Sequence, residues 1–305
     1  MLRKRLKPRP ILMQLILIVG SFLMAYPLIF AIVTSFSTQE AYLQSSWMPN
    51  PNPLSFITYT QLAQASSKAP QWVLNTIIRV IWYTILPCII SVLCGYVFAR
   101  LRFKGRDLVF SIMLISLTVP QIVYALPTYV MMARLPLVGG NNIYGQGGHG
   151  IVNEWPAVLV GGLVNVYYIF LMRQSYYSIP RDFEEAARVD GANTLQVLWH
   201  IYVPMLKPAL TVIVIFQSVL VWNDYVWPLI AVGGNVDIWP VALGFQRLML
   251  QDPNTNMTLQ STGLGVTNYP WAFTVAAVAT LPCVLVFLFF QRYFVEGAQG
   301  FAIKG

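Results

Sequence analysis

Five stretches of this chain, residues 11–36, 80–99, 108–133, 155–172 and 269–291, contain no charged side chain, and a sixth, 208–232, contains only Asp224. A hydrocarbon core about 30 Å thick needs roughly 20 apolar residues to cross it as a helix, because there the backbone must bond to itself. An all-α membrane protein with six transmembrane helices is therefore expected. Stretch 155–172 is the shortest, and its limits are the least sharply drawn. Composition agrees, since only 10% of the 305 residues are charged, against about 25% in soluble domains. Too few charges are present to coat two water-exposed domains, so one membrane-embedded unit is expected.

Direction follows from the basic residues, which collect in cytoplasmic loops. Arg3, Lys4, Arg5, Lys7 and Arg9 precede the first stretch; Arg100, Arg102, Lys104 and Arg106 follow the second; Arg173, Arg181, Arg188 and Lys207 lie between the fourth and fifth; Arg292 and Lys304 follow the last. All of these fall on one side, leaving Lys68, Arg79, Arg134 and Arg247 on the other, so both termini are expected in the cytosol. This asymmetry accounts for the net charge of +8 better than nucleic-acid binding does. Stretch 11–36 is too long for a signal-peptide core and lacks a small-residue cleavage site, so it reads as a retained span. The expected division is a basic arm 1–10, a first span 11–36, an outer loop 37–72, a core of five spans 73–294 enclosing a cytosolic loop 181–207, and a tail 295–305.

Outer loops 37–71, 134–154 and 233–268 are rich in Pro, Asn and Gly. In the second, Gly145, Gly147 and Gly150 spell a dinucleotide fingerprint, but no strand precedes it and no βαβ context surrounds it. That loop reads as a flexible connection or as a contact surface for a partner. Cys88, Cys94 and Cys283 sit inside apolar stretches as small buried side chains. His149 and His200 have no Cys or second His at ligand spacing, so no metal site is signalled.

The loop beginning at Arg181 has helical geometry. Asp182 can cap a helix, with Glu185 three residues later completing a capping box. Phe183, Ala186 and Ala187 share one face; Arg181, Glu184, Glu185 and Arg188 form another, with Glu184 and Arg188 in the favourable order. Gly191 ends this helix, and Asn193 with Gln196 can cap a second whose apolar stripe is Leu195, Leu198, Trp199 and Tyr202. Pro204 and Pro208 close the segment and set the start of the next span. Such a hairpin fits either a surface-lying amphipathic element or a docking surface for a partner.

Asp224 is the sole acid inside a span, about 24 Å along its helix at roughly 1.5 Å per residue. Two roles are open to it: a solvated carboxylate beside an aromatic belt of Trp222 and Trp227, or a pathway or gate group. Pro120 and Pro127 in the third span, and Pro282 in the sixth, should kink or break their helices.

The order E-A-A, three residues, Gly, nine residues, then I-x-x-P, standing here as Glu185, Ala186, Ala187, Gly191, Ile201 and Pro204, resembles the signature of permease subunits of bacterial ATP-binding-cassette importers. Val203 replaces the family's usual Leu. P-N-P-x-P at 49–53, G-Y-V-F-A-R-L-R-F-K-G-R at 95–106, W-N-D-Y-V-W-P-L at 222–229, F-Q-R-Y-F-V-E-G at 290–297 and the closing I-K-G are similar to the carbohydrate branch, near the MalG-type maltose permease subunits. The resemblance covers nearly the whole chain and implies a type I importer permease fold in a bacterial inner membrane. It implies coupling to a nucleotide-binding subunit through Glu184, Glu185, Ala186, Ala187, Asp190, Gly191, Ile201 and Pro204, and a pathway or gate group of Trp222, Asn223, Asp224 and Pro120. ATP and Mg would sit in that partner, since this chain has no phosphate-loop motif; no cofactor is expected on the chain itself. A second permease subunit, an extracytoplasmic solute-binding protein and the bilayer complete the implied partners. Transport of another solute, such as glycerol phosphate or a peptide, is the main rival. A partner-independent secondary transporter would need several mid-membrane ionisable groups and paired repeats, and a membrane enzyme would need clustered acids and histidines.

Overall fold

A computed structural model of the chain describes residues 8–44, 51–250 and 268–302, and every helix or strand among them is a helix. Arg3, Lys4, Arg5, Lys7, the start of the 49–53 motif, and the closing I-K-G with Lys304 lie outside the described residues.

Two compact units are drawn from Met1–Ser67 with Phe245–Leu281, and from Lys68–Gly244 with Pro282–Gly305. In the first, α1 (Pro8–Ser35) is followed by the short α2 (Gln39–Gln44) and α3 (Ile57–Ala65). The buried hydroxyl of Thr274 donates to that of Thr58 at 2.8 Å, and Thr58 in turn donates to the Ser35 carbonyl at 3.2 Å. These bonds satisfy a carbonyl that the end of α1 leaves unpaired. Most of α1 is apolar all round and bare, with Met24 87% exposed, as expected of a surface that lipid or another chain covers.

The second unit is built on α4 (Ala69–Arg100), followed by α5 (Arg106–Ile115), a 3-10 turn (Ser116–Thr118) and α6 (Gln121–Ala133). Next come α7 (Trp155–Val160), α8 (Val166–Tyr177), α9 (Asp182–Val189), α10 (Thr194–Val197), a π turn (Leu198–Tyr202), α11 (Val203–Met205) and α12 (Lys207–Trp222). After α13 (Val226–Val232) and a 3-10 turn (Val236–Ile238), α14 (Val241–Leu250) and α15 (Tyr269–Ala302) complete the chain.

The expected spans are redrawn in several places. Among the described residues, Leu12–Ser35 and Ala69–Arg100 are each long and apolar enough to cross a membrane, and two bent pairs bring the number to four if each pair counts as one span. α4 begins eleven residues before the expected 80 and so carries Arg79 inside it; nothing in Asn75–Val80 breaks a helix. The third span turns by 101° between Thr118 and Gln121, where Pro120 cannot continue the helix. Pro127 and Pro282 sit within α6 and α15 without ending them. Stretch 155–172 is two helices: Gly161 and Gly162 end α7, and the Asn165 side chain caps α8 by accepting from the Tyr167 amide at 3.0 Å. Stretch 208–232 divides at Asn223–Tyr225 into α12 and α13. The expected outer loops contain α2, α3, the first residues of α4, and α14. Loop 134–154 is tied by its own bonds: buried Asn141 donates to the carbonyls of Ala133 and Leu135 at 2.9 and 3.0 Å and accepts from Gly148 at 2.9 Å.

The core of this unit lies where α8 runs parallel to α4 and α12 runs antiparallel to it. Val92, Tyr96 and Ala99 pack on Tyr168, Met172 and Tyr176, and on Tyr202, Leu206, Ala209 and Ile213. The approach of α4 to α8 depends on Gly95, where an added Cβ would lie 2.7 Å from the Met172 Cβ and 3.3 Å from the Arg173 amide. Gly95→Leu is expected to cost about 1–3 kcal/mol by overpacking, read as a lowered thermal midpoint of the purified chain in mild detergent. Gly20→Leu on α1, with open space around its Cβ position, should leave that midpoint unchanged.

Candidate functional site

The loop from α8 to α12 is two helices joined at a glycine. Gly191 stands at φ +86, where a side chain is strained, and its amide donates to the Arg188 carbonyl at 3.1 Å. The second helix is capped as expected: the Asn193 side chain accepts from the Gln196 amide at 2.9 Å, and the Gln196 side chain accepts from the Asn193 amide at 2.8 Å. The first is not. Arg181 is already helical (φ −71, ψ −22) and its carbonyl receives the amides of Glu184 and Glu185, so Asp182 falls inside the helix, where its side chain cannot act as the N-cap.

Glu184 departs from the other residues of its charged face. It turns inward and accepts hydrogen bonds from the Tyr202 hydroxyl at 2.7 Å, the Tyr96 hydroxyl at 3.3 Å and Arg188 at 2.8 Å. Partial burial works to raise its carboxyl, but the bonds from Tyr202 and Arg188, the Arg188 charge and the bond from Tyr96 outweigh it, leaving the group below its ordinary 4.5. Burial, followed by the bond to this carboxylate, pushes the Tyr202 hydroxyl up, so it remains a proton donor. Tyr96, Tyr176 and Tyr202 pack ring to ring, their centroids 5.2–5.8 Å apart. Arg100 lies 5.0 Å from the Tyr202 ring and donates to the carbonyls of Tyr176 and Ile179 at 2.6 and 2.5 Å, capping the end of α8.

The apolar stripe splits. Val197, Leu198, Tyr202 and Leu206 are buried, whereas Leu195 and Trp199 are exposed, as are Phe183 and Val189 on α9, the last at 87%. Ala186 is exposed while Ala187 and Ile201 pack partly against the core, and Glu185, Asp190, Gly191 and Pro204 are exposed. Pro204, expected to close the segment, instead lies within α11; lacking an N–H for the His200 carbonyl, it follows the π turn rather than ending the helix.

The second candidate group is only partly assembled. Trp222 is the last residue of α12, and exposed Asn223 donates to the Val219 carbonyl at 2.8 Å. Asp224 is held by Arg79, which is 1% exposed, through a 2.5 Å bond; it is not the free belt carboxylate that was one of its two expected roles. Arg79 had been expected on the outer side, just before the second span. Removing one partner from such a buried pair costs about 3–5 kcal/mol, because a charge is left stranded. Pro120 is exposed at the α5–α6 corner and shares no bond with these residues among the described ones.

Periodicity did not reveal Tyr96 or Arg79; the only available signal was the spacing that lets tyrosine and arginine recur on one face of α4. Among the described residues no group of three His, Cys, Asp or Glu could hold a metal ion.

Residues 90–299, more than two thirds of the chain, match the family described as "Binding-protein-dependent transport system inner membrane component". The chain belongs to that family. This transport component is 29% identical over 256 residues to the arabinooligosaccharides transport system permease protein AraQ of Bacillus subtilis (strain 168), covering 84% of this chain and 81% of the relative. It is 30% identical over 220 residues to the lactose transport system permease protein LacG of Rhizobium radiobacter, covering 71% and 69%. A chain in the crystal structure of a bacterial ABC transporter involved in the import of the acidic polysaccharide alginate has the same fold, with a TM-score of 0.73 at 23% identity over 96% of this chain and 99% of that one. The protein is thus a transport component and not an enzyme.

Because the Glu184 carboxyl is lowered, the stability it lends its loop is full above pH 4.5 and is lost as the pH falls through its folded value. Amide exchange across Asp182–Val189 should therefore accelerate below that pH, and Glu184→Gln should remove the acid step. Tyr202→Phe should speed exchange there about fivefold at neutral pH, equivalent to about 1 kcal/mol. Unchanged exchange would show that the inward grip does not stabilise the loop.

Proposed function

We propose that this chain forms half of the translocation pathway of an ATP-driven importer for a sugar or oligosaccharide, and that a nucleotide-binding subunit grips it at loop 181–207. The observation that carries this reading is the division of that loop, in which Glu184, Tyr202 and Leu198 anchor it inward while Phe183, Ala186, Val189, Leu195 and Trp199 are left bare. Bare apolar and small residues on a braced element suit a tightly packed partner. Exposed Glu185 is assigned to a basic residue of that partner, with Asp190 beside the turn and Ala186 permitting close approach. ATP and Mg belong to the partner subunit.

The relatives named for arabinooligosaccharide and lactose support a carbohydrate cargo. Parallel α4 and α8 with antiparallel α12 support an alternating membrane topology, read here as six spans with both termini in the cytosol of a bacterial inner membrane. The bare faces of α1, α5 and α6 support lipid and a second permease subunit as neighbours. An extracytoplasmic solute-binding protein would deliver the cargo to the outer loops. Asp224, with Trp222 and Asn223, borders the pathway at the outer end of α12.

Purification in mild detergent is expected to bring along a nucleotide-binding subunit. Val189→Glu or Ala186→Glu places a charge on the bare face without touching the core, and should reduce co-eluting ATPase and ATP-driven sugar uptake at least tenfold at normal expression. Gly191→Pro should do the same, since proline cannot take φ +86. Normal uptake by all three variants would refute the docking assignment.

A further inference from the structure

Two helix breaks meet on one face of α4. Three of the carbonyls left over at the end of α7 find side-chain partners: Ala157 receives Trp227 Nε1 at 3.0 Å, Val158 receives Arg79 Nε at 3.4 Å, and Leu159 receives Trp82 Nε1 at 2.8 Å. The Gly161 carbonyl, at the break itself, accepts from the Tyr83 hydroxyl. Of the three donors on α4, Arg79 also reaches the other break, where its Nη2 holds Asp224 at the α12–α13 corner at 2.5 Å; Trp227, on α13, joins the same two breaks from the other side. Its guanidinium lies 5.7 Å from the Tyr83 ring centroid, and its buried Nη1 has no partner in the structure.

An ion pair that opens in every transport cycle would have to release both charges to water or to new partners. Arg79 is 1% exposed and also engages a carbonyl, so opening would strand a buried cation together with a backbone acceptor. A pair buried on one side and tied to backbone suits a joint that stays shut.

Resting on the importer reading, we propose that Arg79 is a positioning residue that fastens the α7–α8 break to the α12–α13 corner, so that the ends of α7 and α12 and the stretch of α4 that runs past them move as one block while the pathway opens and closes elsewhere. Asp224 is then part of the wall's frame and is not a gate that releases. The cation's second task, holding the Val158 carbonyl, is one that lysine cannot perform while also reaching Asp224, because lysine has no Nε donor along its stem.

The test uses the whole importer in vesicles, with Cys88, Cys94 and Cys283 replaced by Ala and with Arg79→Cys and Asp224→Cys introduced together. Removing both charges strands neither. Uptake per ATP hydrolysed is expected to fall at least fivefold, and bridging the two thiols with a short reducible bis-thiosulfonate should return it to within twofold of the cysteine-free parent. Bridging that stops the residual uptake, with recovery on adding reductant, would overturn the proposal by making the pair a gate. A double variant equal to the parent without bridging would overturn it by showing that nothing is positioned. Should the cysteine pair fail to assemble, Arg79→Lys serves: uptake per ATP is expected to fall at least threefold with complex yield and basal ATP hydrolysis unchanged, and an unchanged ratio overturns the proposal. The importer reading is judged on the parent complex and the block on the ratio of variant to parent, so failures of the two are told apart.

Discussion

Backbone groups freed where a helix breaks in apolar surroundings must be paired by the protein itself, since no water is there to do so. That constraint organises the second unit of this chain, and α4 answers it. Arg79, Trp82 and Tyr83 supply donors for the end of α7, while Arg100 supplies them for the end of α8. Arg173 on α8 returns the favour at the end of α4, donating to the Phe98 carbonyl at 3.2 Å. Helix ends that meet side by side thus cap one another, and the cationic side chains sit where carbonyl dipoles gather. The breaks are tolerated because this one long helix runs past them with donors at the right heights.

Two acids take their places from the same helix. Asp224 is held near the start of α4 by Arg79, and Glu184 is held near its end by Tyr96, with Tyr202 and Arg188 completing the set. The difference between them is burial. Arg79 is almost wholly enclosed, so its pairing with Asp224 must persist for the fold to keep its shape, whereas Glu184 and Arg188 retain contact with solvent and their bonds can exchange at small cost. A lasting joint at one end and an adjustable one at the other follow from exposure alone.

Much of the fold was legible in the sequence, and the reasons for success and failure are separable. Charge-free runs located the apolar helices, Pro120 marked a corner, and Gly191 with Asn193 and Gln196 gave the hairpin's turn and cap, because these signals are local. Arg79 was left outside the second helix because a charge at the edge of an apolar run reads as the run's end unless its partner is known, and Asp224 lies 145 residues away. The inward turn of Glu184 was not legible because spacing on a helix fixes which residues are neighbours but not which of them meets the core. The split of 155–172 was visible in Gly161, Gly162 and Asn165, signals that an uninterrupted count of apolar residues passes over. Asp182 failed as a cap because the helix begins one residue earlier, at a distance no sequence rule resolves.

On the importer reading, α4 touches both ends of the work. Its last turns carry Tyr96 and Arg100, which brace the loop that is assigned to the ATPase subunit; its earlier turns carry Arg79, which holds the breaks near the assigned pathway. A continuous helix between them transmits displacement without any relay of switching side chains, because its own hydrogen-bond ladder makes it stiff along its length. The α5–α6 corner at Pro120 carries a bond between its own two arms, from the Tyr124 hydroxyl to the Ser116 carbonyl at 3.2 Å. Tight joints along α4 and a self-tied corner at Pro120 together divide this unit into a part that carries force and a part that can yield to it.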